Sequence, residues 1–156
     1  MTSKGLAYAL ALFVPFALLA GALGSEIIGD LYPCEMCHWQ RWPHYAAVPL
    51  ALIALILRDK RAGTLFLWLA ADAIFISGAI GVFHAGVEYG FWEGITGCAT
   101  MDAGSGDFMA DIMATPIISC DQPQWTLFGI SLAGFNAIIS IGTAIGIAWL
   151  IRKTNR

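Results

Sequence analysis

Long stretches without charge are the feature that most constrains this chain. Four runs, residues 5–25, 42–57, 62–87 and 122–151, together hold a single charged side chain, Asp72. A bilayer core of about 30 Å is crossed by about 20 apolar helical residues. Charged residues make up 12% of the chain, whereas soluble domains hold about 25%. The sequence therefore predicts an all-α integral membrane protein, a four-transmembrane-helix bundle that forms one domain over residues 1–156.

The charge-free runs also predict where the helices and connections lie. We expect helices at about 6–24, 41–58, 65–84 and 127–150. The first run is longer than the apolar core of a cleaved signal peptide, usually about 7 to 15 residues, so it is interpreted as a membrane span. Two long connections, at about 25–40 and 85–126, then lie on the same side of the membrane.

Basic residues are segregated to the opposite side of this topology. Seven of the eight Lys and Arg residues lie there: Lys4, Arg58, Lys60, Arg61, Arg152, Lys153 and Arg156. Cytoplasmic loops of membrane proteins carry an excess of Lys and Arg. We therefore expect a multi-pass protein of the bacterial inner membrane, with both termini in the cytoplasm and the two long connections in the periplasm.

All four cysteines lie in the two outward connections, Cys34 and Cys37 in the first and Cys98 and Cys120 in the second. Because disulfides persist in oxidising compartments such as the periplasm, this placement indicates two disulfides or one metal site. A C-x-x-C ring closes too short a loop to stabilise a fold strongly, and such pairs are typical of redox cycling. Redox-active and inert disulfides both remain open on these residues alone.

The segment CEMCH, residues 34–38, admits two further chemistries. C-x-x-C-H is the attachment pattern of c-type haem, which predicts a membrane-anchored electron carrier. Four cysteines also suffice for a structural zinc site. The haem interpretation leaves Cys98, Cys120 and Arg41 without a role.

Arg41 is the one basic residue on the outward side. It precedes a charge-free run of 16 residues, about 24 Å of helix, which places it at or just inside the outer membrane interface. An arginine there either snorkels to water or finds a partner, and it can also serve as a fixed cation beside a thiolate or an anionic cofactor oxygen. A helix that starts near Cys37 puts both residues on one face and favours a Cys37 thiolate at its N-terminus, whereas Pro43 favours a later start.

The remaining polar and small residues are assigned simpler roles. His38 and His44 are interpreted as interfacial, and Asp72 and Asn136 are expected to form contacts between helices. Small residues are expected at close helix contacts: Gly78, Gly81, Gly134, Gly142 and Gly146.

Three segments together resemble a known family. PCEMCHWQR precedes the second helix, FHAGVE ends the third and CDQPQW opens the fourth. In this combination, and over essentially the whole chain, the sequence resembles the disulfide bond formation protein B (DsbB) family.

The resemblance implies a quinone-linked membrane thiol oxidase. Such an enzyme reoxidises a periplasmic thioredoxin-like oxidase (DsbA-like) and passes two electrons to membrane quinone, either ubiquinone or menaquinone. It implies that the partner meets the loop that carries Cys98 and Cys120, that Cys98 is the sulfur attacked, and that Cys120 relays to Cys34. Membrane lipid is the other expected partner, and neither nucleic acid nor a metal ion enters the expectation.

The resemblance also implies a set of residues at the quinone site. Cys37 is expected to be the thiolate that contacts the quinone, and Arg41 the residue that holds it. His84, at the outer end of the third helix, occupies the place of a family histidine near the quinone.

Overall fold

The computed structural model describes residues 2–95 and 119–154, which form four α-helices and one short β-hairpin. The helices are α1 (Ser3–Ile27), α2 (Glu35–Ile56), α3 (Arg61–Glu88) and α4 (Leu132–Thr154). This confirms the predicted helical class. Three of the helices, α1, α3 and α4, are long and apolar enough to cross a membrane.

Helix α2 differs from the other three in its first turns. Its 22 residues span about 33 Å, but its outer third is polar. The polar side chains there are Glu35, His38, Gln40, Arg41 and His44. Three of these, Gln40, Arg41 and His44, are buried, so this end of α2 presents polar groups to the interior of the bundle.

Helix α2 begins six residues before the predicted start. Cys34 is its N-cap, and the Cys34 sulfur accepts a hydrogen bond from the Cys37 backbone N–H at 3.2 Å. This bond satisfies one of the donors that every helix N-terminus leaves free. Pro43 therefore lies inside the helix, and Cys37 and Arg41 share one helical face.

Helix α4 begins at Leu132, five residues after the predicted start, because a hairpin precedes it. Strands β1 (Thr126–Leu127) and β2 (Ile130–Ser131) pair antiparallel. The two turn residues, Phe128 and Gly129, have φ of 53° and 77°. Two positive φ values are what a two-residue hairpin turn requires, and glycine adopts them without strain.

Helix α3 is central to the bundle and makes its most extensive contacts with α2 and α4. A Cβ added at Gly81 would lie 3.0 Å from the Ala133 carbonyl oxygen, and one at Gly78 would lie 2.7 Å from Ile141 Cγ1. The close contact predicted for these two glycines is therefore present, whereas the nearest neighbours of Gly134 are Ile130 and Ser131 of the preceding hairpin. The prediction is wrong for Gly142 and Gly146, where a Cβ would meet nothing within 4 Å.

The end of the bundle away from the cysteines is basic. The Lys4 ammonium donates to the Arg58 carbonyl oxygen at 3.1 Å, which joins the start of α1 to the end of α2. The Arg152 guanidinium lies 5.9 Å from the centre of the Trp68 ring, which joins α4 to α3. The structure thus collects the basic residues of separate helices at one end.

Candidate active site

The first cysteine pair lies at the N-terminus of α2 and forms a close dithiol. The Cys34 thiol donates a hydrogen bond to the Cys37 sulfur at 2.8 Å. This bond raises the pKa of Cys34, which burial raises further, and the same bond lowers the pKa of Cys37, a residue that precedes the predicted membrane span. Of the two sulfurs, Cys37 is therefore the one that ionises more readily.

Cys120 comes from the second long connection and lies beside this pair. Its sulfur, the Cys34 sulfur and a ring nitrogen of His84 all lie within 4.8 Å of one another. Cys34 and Cys120 are both buried. Cys34 thus has Cys37 on one side and Cys120 on the other, while Cys98 lies outside the described residues.

Arg41 is held by helix α1 and does not extend to water. Its side chain is 10% exposed, and its Nη1 atom lies 2.5 Å from Glu26 Oε2. Its Nη2 atom donates to the Ala22 carbonyl oxygen at 3.2 Å. The interpretation that Arg41 snorkels to water is wrong, because the guanidinium is paired inside the bundle.

His84 is buried beside Cys34. Its Nε2 atom lies 3.5 Å from the Cys34 sulfur, and its Nδ1 atom lies 2.7 Å from Gln40 Nε2. The same Gln40 Nε2 donates to the Met36 carbonyl oxygen at 3.3 Å. A carbonyl oxygen only accepts, so this atom of Gln40 is the amide nitrogen, and it donates to His84 Nδ1. In the neutral imidazole the proton is then on Nε2, beside the Cys34 sulfur, and His84 also bonds to the Cys120 backbone.

Glu88 completes this part of the site. Its side chain is 7% exposed, and its Oε1 atom lies 3.7 Å from His84 Nε2. Its other oxygen accepts a hydrogen bond from the Ser131 hydroxyl. Glu88 and Glu26 were not predicted as site residues, because nothing in the sequence marks which outward carboxylate becomes buried or which one pairs with Arg41.

A cavity of about 210 Å³ opens between the helices at this end of the bundle. Apolar residues of α1 and α4 form much of its wall, and its polar groups come from all four helices and from the segment before the hairpin. The polar and sulfur-bearing lining residues are Ser25, Cys34, Cys37, Gln40, Arg41, His44, His84, Glu88, Ser119, Gln122, Gln124 and Asn136. All the predicted site residues within the described part of the chain, except Cys120, therefore line one cavity.

The two other histidines, His38 and His44, lie in different environments. His38 is exposed in a shallow groove with Trp39 and Trp42 and lies apart from the cysteine cavity, and its interfacial position stays a prediction. His44 is buried, and its Nε2 atom lies 3.0 Å from Asn136 Oδ1. The interfacial interpretation of His44 is wrong, because α2 turns this side chain into the bundle.

The polar residues predicted inside helices also have different outcomes. Asn136 bonds to α2 and α3, through Gln40 Oε1 at 2.8 Å and the Ser77 carbonyl oxygen at 3.2 Å, as expected for a contact between helices. Asp72 is exposed on α3, and within residues 2–95 and 119–154 its carboxylate forms no hydrogen bond. The expected helix contact of Asp72 is therefore wrong.

The two competing chemistries have different outcomes. Haem attachment through the CEMCH segment uses a histidine ligand beside the two cysteines, but His38 faces a different surface from the cysteine cavity. The predicted four-cysteine zinc site includes Cys98, which lies outside the described residues, so it stays a prediction. Within the described residues, Cys34, His84 and Cys120 are grouped closely enough to hold a metal ion.

These features define a class of protein: a helical membrane protein with a buried cysteine pair, a third cysteine within reach and an apolar cavity beside them. The sequence profile of disulfide bond formation protein DsbB matches residues 4–150, and the chain belongs to this family. Members of the family are membrane disulfide oxidoreductases that are generally linked to quinone.

One relative extends the comparison. The uncharacterized protein RP370 of Rickettsia prowazekii (strain Madrid E) is 28% identical to the chain over 145 residues, which cover 88% of this chain and 83% of the relative. No solved structure matches the chain significantly.

Proposed function

We propose that this protein is an inner-membrane thiol:quinone oxidoreductase that supports periplasmic disulfide formation. It reoxidises a thioredoxin-like dithiol oxidase of the DsbA type and passes the electrons to ubiquinone or menaquinone. The observation that carries the proposal is the position of Cys34, 2.8 Å from the Cys37 sulfur and within 4.8 Å of the Cys120 sulfur, at the wall of an apolar cavity.

Electrons enter at the second cysteine pair. The partner's dithiol is oxidised to a disulfide, and the Cys98–Cys120 disulfide accepts its two electrons by thiol exchange, with Cys98 as the sulfur attacked. Cys120 then attacks Cys34 in the Cys34–Cys37 disulfide, and Cys98 attacks Cys120 in the resulting mixed disulfide. This re-forms the Cys98–Cys120 disulfide and leaves Cys34 and Cys37 as a dithiol. The short distance from Cys120 to Cys34 supports this order, because exchange needs direct contact between sulfurs.

Electrons leave from the first cysteine pair. The Cys34–Cys37 dithiol becomes a disulfide, and its two electrons and two protons pass to the quinone, which becomes a quinol. The hydrogen bond from Cys34 favours the thiolate at Cys37, the sulfur that faces the acceptor. His84 Nε2–H stabilises negative charge on Cys34 when that sulfur is the attacking or leaving group.

The cavity residues fit a quinone by their chemistry. Apolar walls suit the ring, and a quinone carries carbonyl oxygens that accept hydrogen bonds. Arg41 presents N–H donors at the cavity, with Glu26 and the Ala22 carbonyl oxygen fixing the guanidinium. A quinone is confined to the bilayer, so this function also requires that α2 form the fourth span and that the cysteine end face the periplasm.

The test is coupled turnover in the purified protein. With a reduced thioredoxin-like partner and ubiquinone, we expect one dithiol to be consumed for each quinone reduced. Cys37→Ser should abolish quinone reduction, while His38→Ala, a change at an exposed neighbour, should leave turnover within about twofold of the native rate. Quinone reduction that survives in Cys37→Ser would overturn the proposed route.

A further inference from the structure

Buried amide and imidazole side chains form a line of hydrogen bonds that crosses three helices. It starts at His44 on α2, where Nε2 lies 3.0 Å from Asn136 Oδ1 on α4. Asn136 Nδ2 lies 2.8 Å from Gln40 Oε1 on α2, and Gln40 Nε2 lies 2.7 Å from His84 Nδ1 on α3. His84 Nε2 then lies 3.5 Å from the Cys34 sulfur. Four consecutive contacts therefore lead from His44 to this sulfur.

Two backbone carbonyl groups fix the direction of the middle bonds. Asn136 Nδ2 lies 3.2 Å from the Ser77 carbonyl oxygen, and Gln40 Nε2 lies 3.3 Å from the Met36 carbonyl oxygen. Since a carbonyl oxygen only accepts, each of these side-chain atoms is an amide nitrogen, which carries hydrogens. Asn136 therefore donates to Gln40 Oε1, and Gln40 donates to His84 Nδ1.

The two imidazoles continue in the same direction. The Asn136 amide oxygen only accepts, so His44 Nε2–H donates to it. His84 Nδ1 already accepts from Gln40, so in a neutral imidazole the hydrogen of His84 is on Nε2. Each group in the line thus donates to the next one toward Cys34.

The last donor, His84 Nε2–H, has three acceptors around it. They are the Cys34 sulfur at 3.5 Å, the Cys120 backbone and Glu88 Oε1 at 3.7 Å. Glu88 already accepts a hydrogen bond from the Ser131 hydroxyl. A thiolate accepts hydrogen bonds more strongly than a thiol, so this donor stabilises negative charge that develops on Cys34.

We propose that Asn136 is a positioning residue for thiol exchange at Cys34. By orienting the Gln40 amide it fixes the hydrogen of His84 on Nε2, beside the Cys34 sulfur. When attack on Cys120 breaks the Cys34–Cys120 disulfide, the electron pair of that bond stays on Cys34 as a thiolate, which His84 stabilises. Hydrogen bonds in a line polarise one another in a low dielectric, so each donor strengthens the last one. The proposal rests on the proposed function, since that exchange is the step that releases Cys34.

The reactivity of Cys34 can be measured without partner or quinone. In protein with the other three cysteines replaced by alanine, alkylation by iodoacetamide reports the Cys34 thiolate, and Cys34 lines the cavity. We expect Asn136→Ala to slow alkylation at neutral pH by about threefold to tenfold, as for the loss of one hydrogen bond. An unchanged rate would overturn the proposal. A faster rate would also overturn it, because loosened packing exposes a buried cysteine, and Asn136 would then only hold helices together.

A neighbouring serine supplies the matched control. The Ser140 hydroxyl donates to Asn136 Oδ1 at 2.9 Å, so Ser140→Ala removes a bond to the same residue that lies outside the line. It should keep the alkylation rate within about twofold of the native rate. A loss as large as that of Asn136→Ala would overturn the assignment of the effect to the line.

A double-mutant cycle tests whether Asn136 acts through His84. His84→Ala removes the last donor and should slow Cys34 alkylation at least as much as Asn136→Ala. Adding Asn136→Ala to His84→Ala should then change the rate by less than about twofold. Full additivity would overturn the proposal, because the two residues would act on Cys34 by separate routes.

The positions of the hydrogens can be read without changing any buried residue. In protein labelled with ¹⁵N at histidine, NMR shows three imidazoles, and the signals of His38 are identified by their loss in His38→Ala. The other two, His44 and His84, should each be protonated on Nε2 and bare on Nδ1. A proton on Nδ1 of either residue would reverse a bond in the line and overturn the proposal.

The pattern of failure identifies which idea is wrong. Alkylation and NMR use neither the thioredoxin-like partner nor quinone, so they do not depend on turnover. Native protein that reduces quinone, together with Asn136→Ala protein in which Cys34 is alkylated at the native rate, overturns the role of Asn136 alone. Native protein that reduces no quinone overturns the proposed function.

Discussion

At the scale of single residues, the reactivity of the site depends on hydrogen-bond partners supplied by neighbours. The Cys37 sulfur accepts a hydrogen bond from the Cys34 thiol, with the two sulfurs 2.8 Å apart, and the Arg41 guanidinium is fixed by α1. Both relationships can be tested by changing one partner at a time.

The first prediction concerns the ionisation of Cys37. A donor bonded to a thiolate lowers its pKa, so in a variant lacking Cys98 and Cys120 we expect alkylation of Cys37 to rise with pH through a midpoint below the usual value of about 8.5. Cys34→Ala removes the donor and should move the midpoint to higher pH. Cys34→Ser keeps a hydroxyl donor and should move it less. An unchanged midpoint in Cys34→Ala would contradict the assigned hydrogen bond.

The second prediction concerns Arg41. Arg41→Ala should raise the KM for ubiquinone by about tenfold or more, the range for hydrogen bonds to charged groups, because the donors at the cavity are lost. Oxidation of the thioredoxin-like partner in a single turnover without quinone should stay within about twofold of the native rate. Arg58→Ala, a basic residue at the other end of the bundle, is the matched control. A loss confined to partner oxidation would assign Arg41 to the partner and not to quinone.

At the scale of single elements, the start of α2 decides whether the site exists. If the helix began after Pro43, Cys37 and Arg41 would lie outside it and would not share a helical face. It begins at Glu35 because Cys34 caps it and because Gln40 and His44 bond to α3 and α4. These tertiary contacts outweigh the preference of proline for the first turn, and a sequence pattern does not contain them.

The third prediction concerns the contact between α3 and α4. Gly81→Ala should lower the free energy of unfolding by about 1–3 kcal/mol, because its Cβ would press on backbone atoms of Ala133 and Ala137 at 3.0 and 3.1 Å. Gly142→Ala meets open space and should be neutral or stabilising by up to about 1 kcal/mol. Thermal unfolding of both variants in one detergent makes the comparison. Equal stability would mean that the helices are not in close contact at Gly81.

At the scale of the whole molecule, the basic residues and the described cysteines lie at opposite ends of the bundle. Three basic residues from separate segments lie at one end, where Lys4 contacts Arg58 and Arg152 contacts the Trp68 ring. The buried cysteines meet at the other. This polarity is what a periplasmic thiol site with a cytoplasmic basic face requires.

The fourth prediction concerns orientation. A reporter that is active only in the cytoplasm should be active when it is fused after Arg156 and inactive when it is inserted after Gly90. Replacing Arg58, Lys60 and Arg61 by alanine should lower the fraction of correctly oriented chains, since these charges oppose translocation of the loop. Activity of the reporter after Gly90 would place the cysteine end in the cytoplasm and exclude the proposed function.

The sequence by itself determined the helical class, the separation of the basic residues from the cysteines along the chain, and the family. These properties follow from composition and order along the chain, which hydropathy and spacing report directly. The tertiary structure alone decided that Cys120 lies beside Cys34, that Glu26 pairs with Arg41 and that His44 is buried. Each of these depends on the rotation of one helix against another, and residues far apart in the chain meet only when that packing is known.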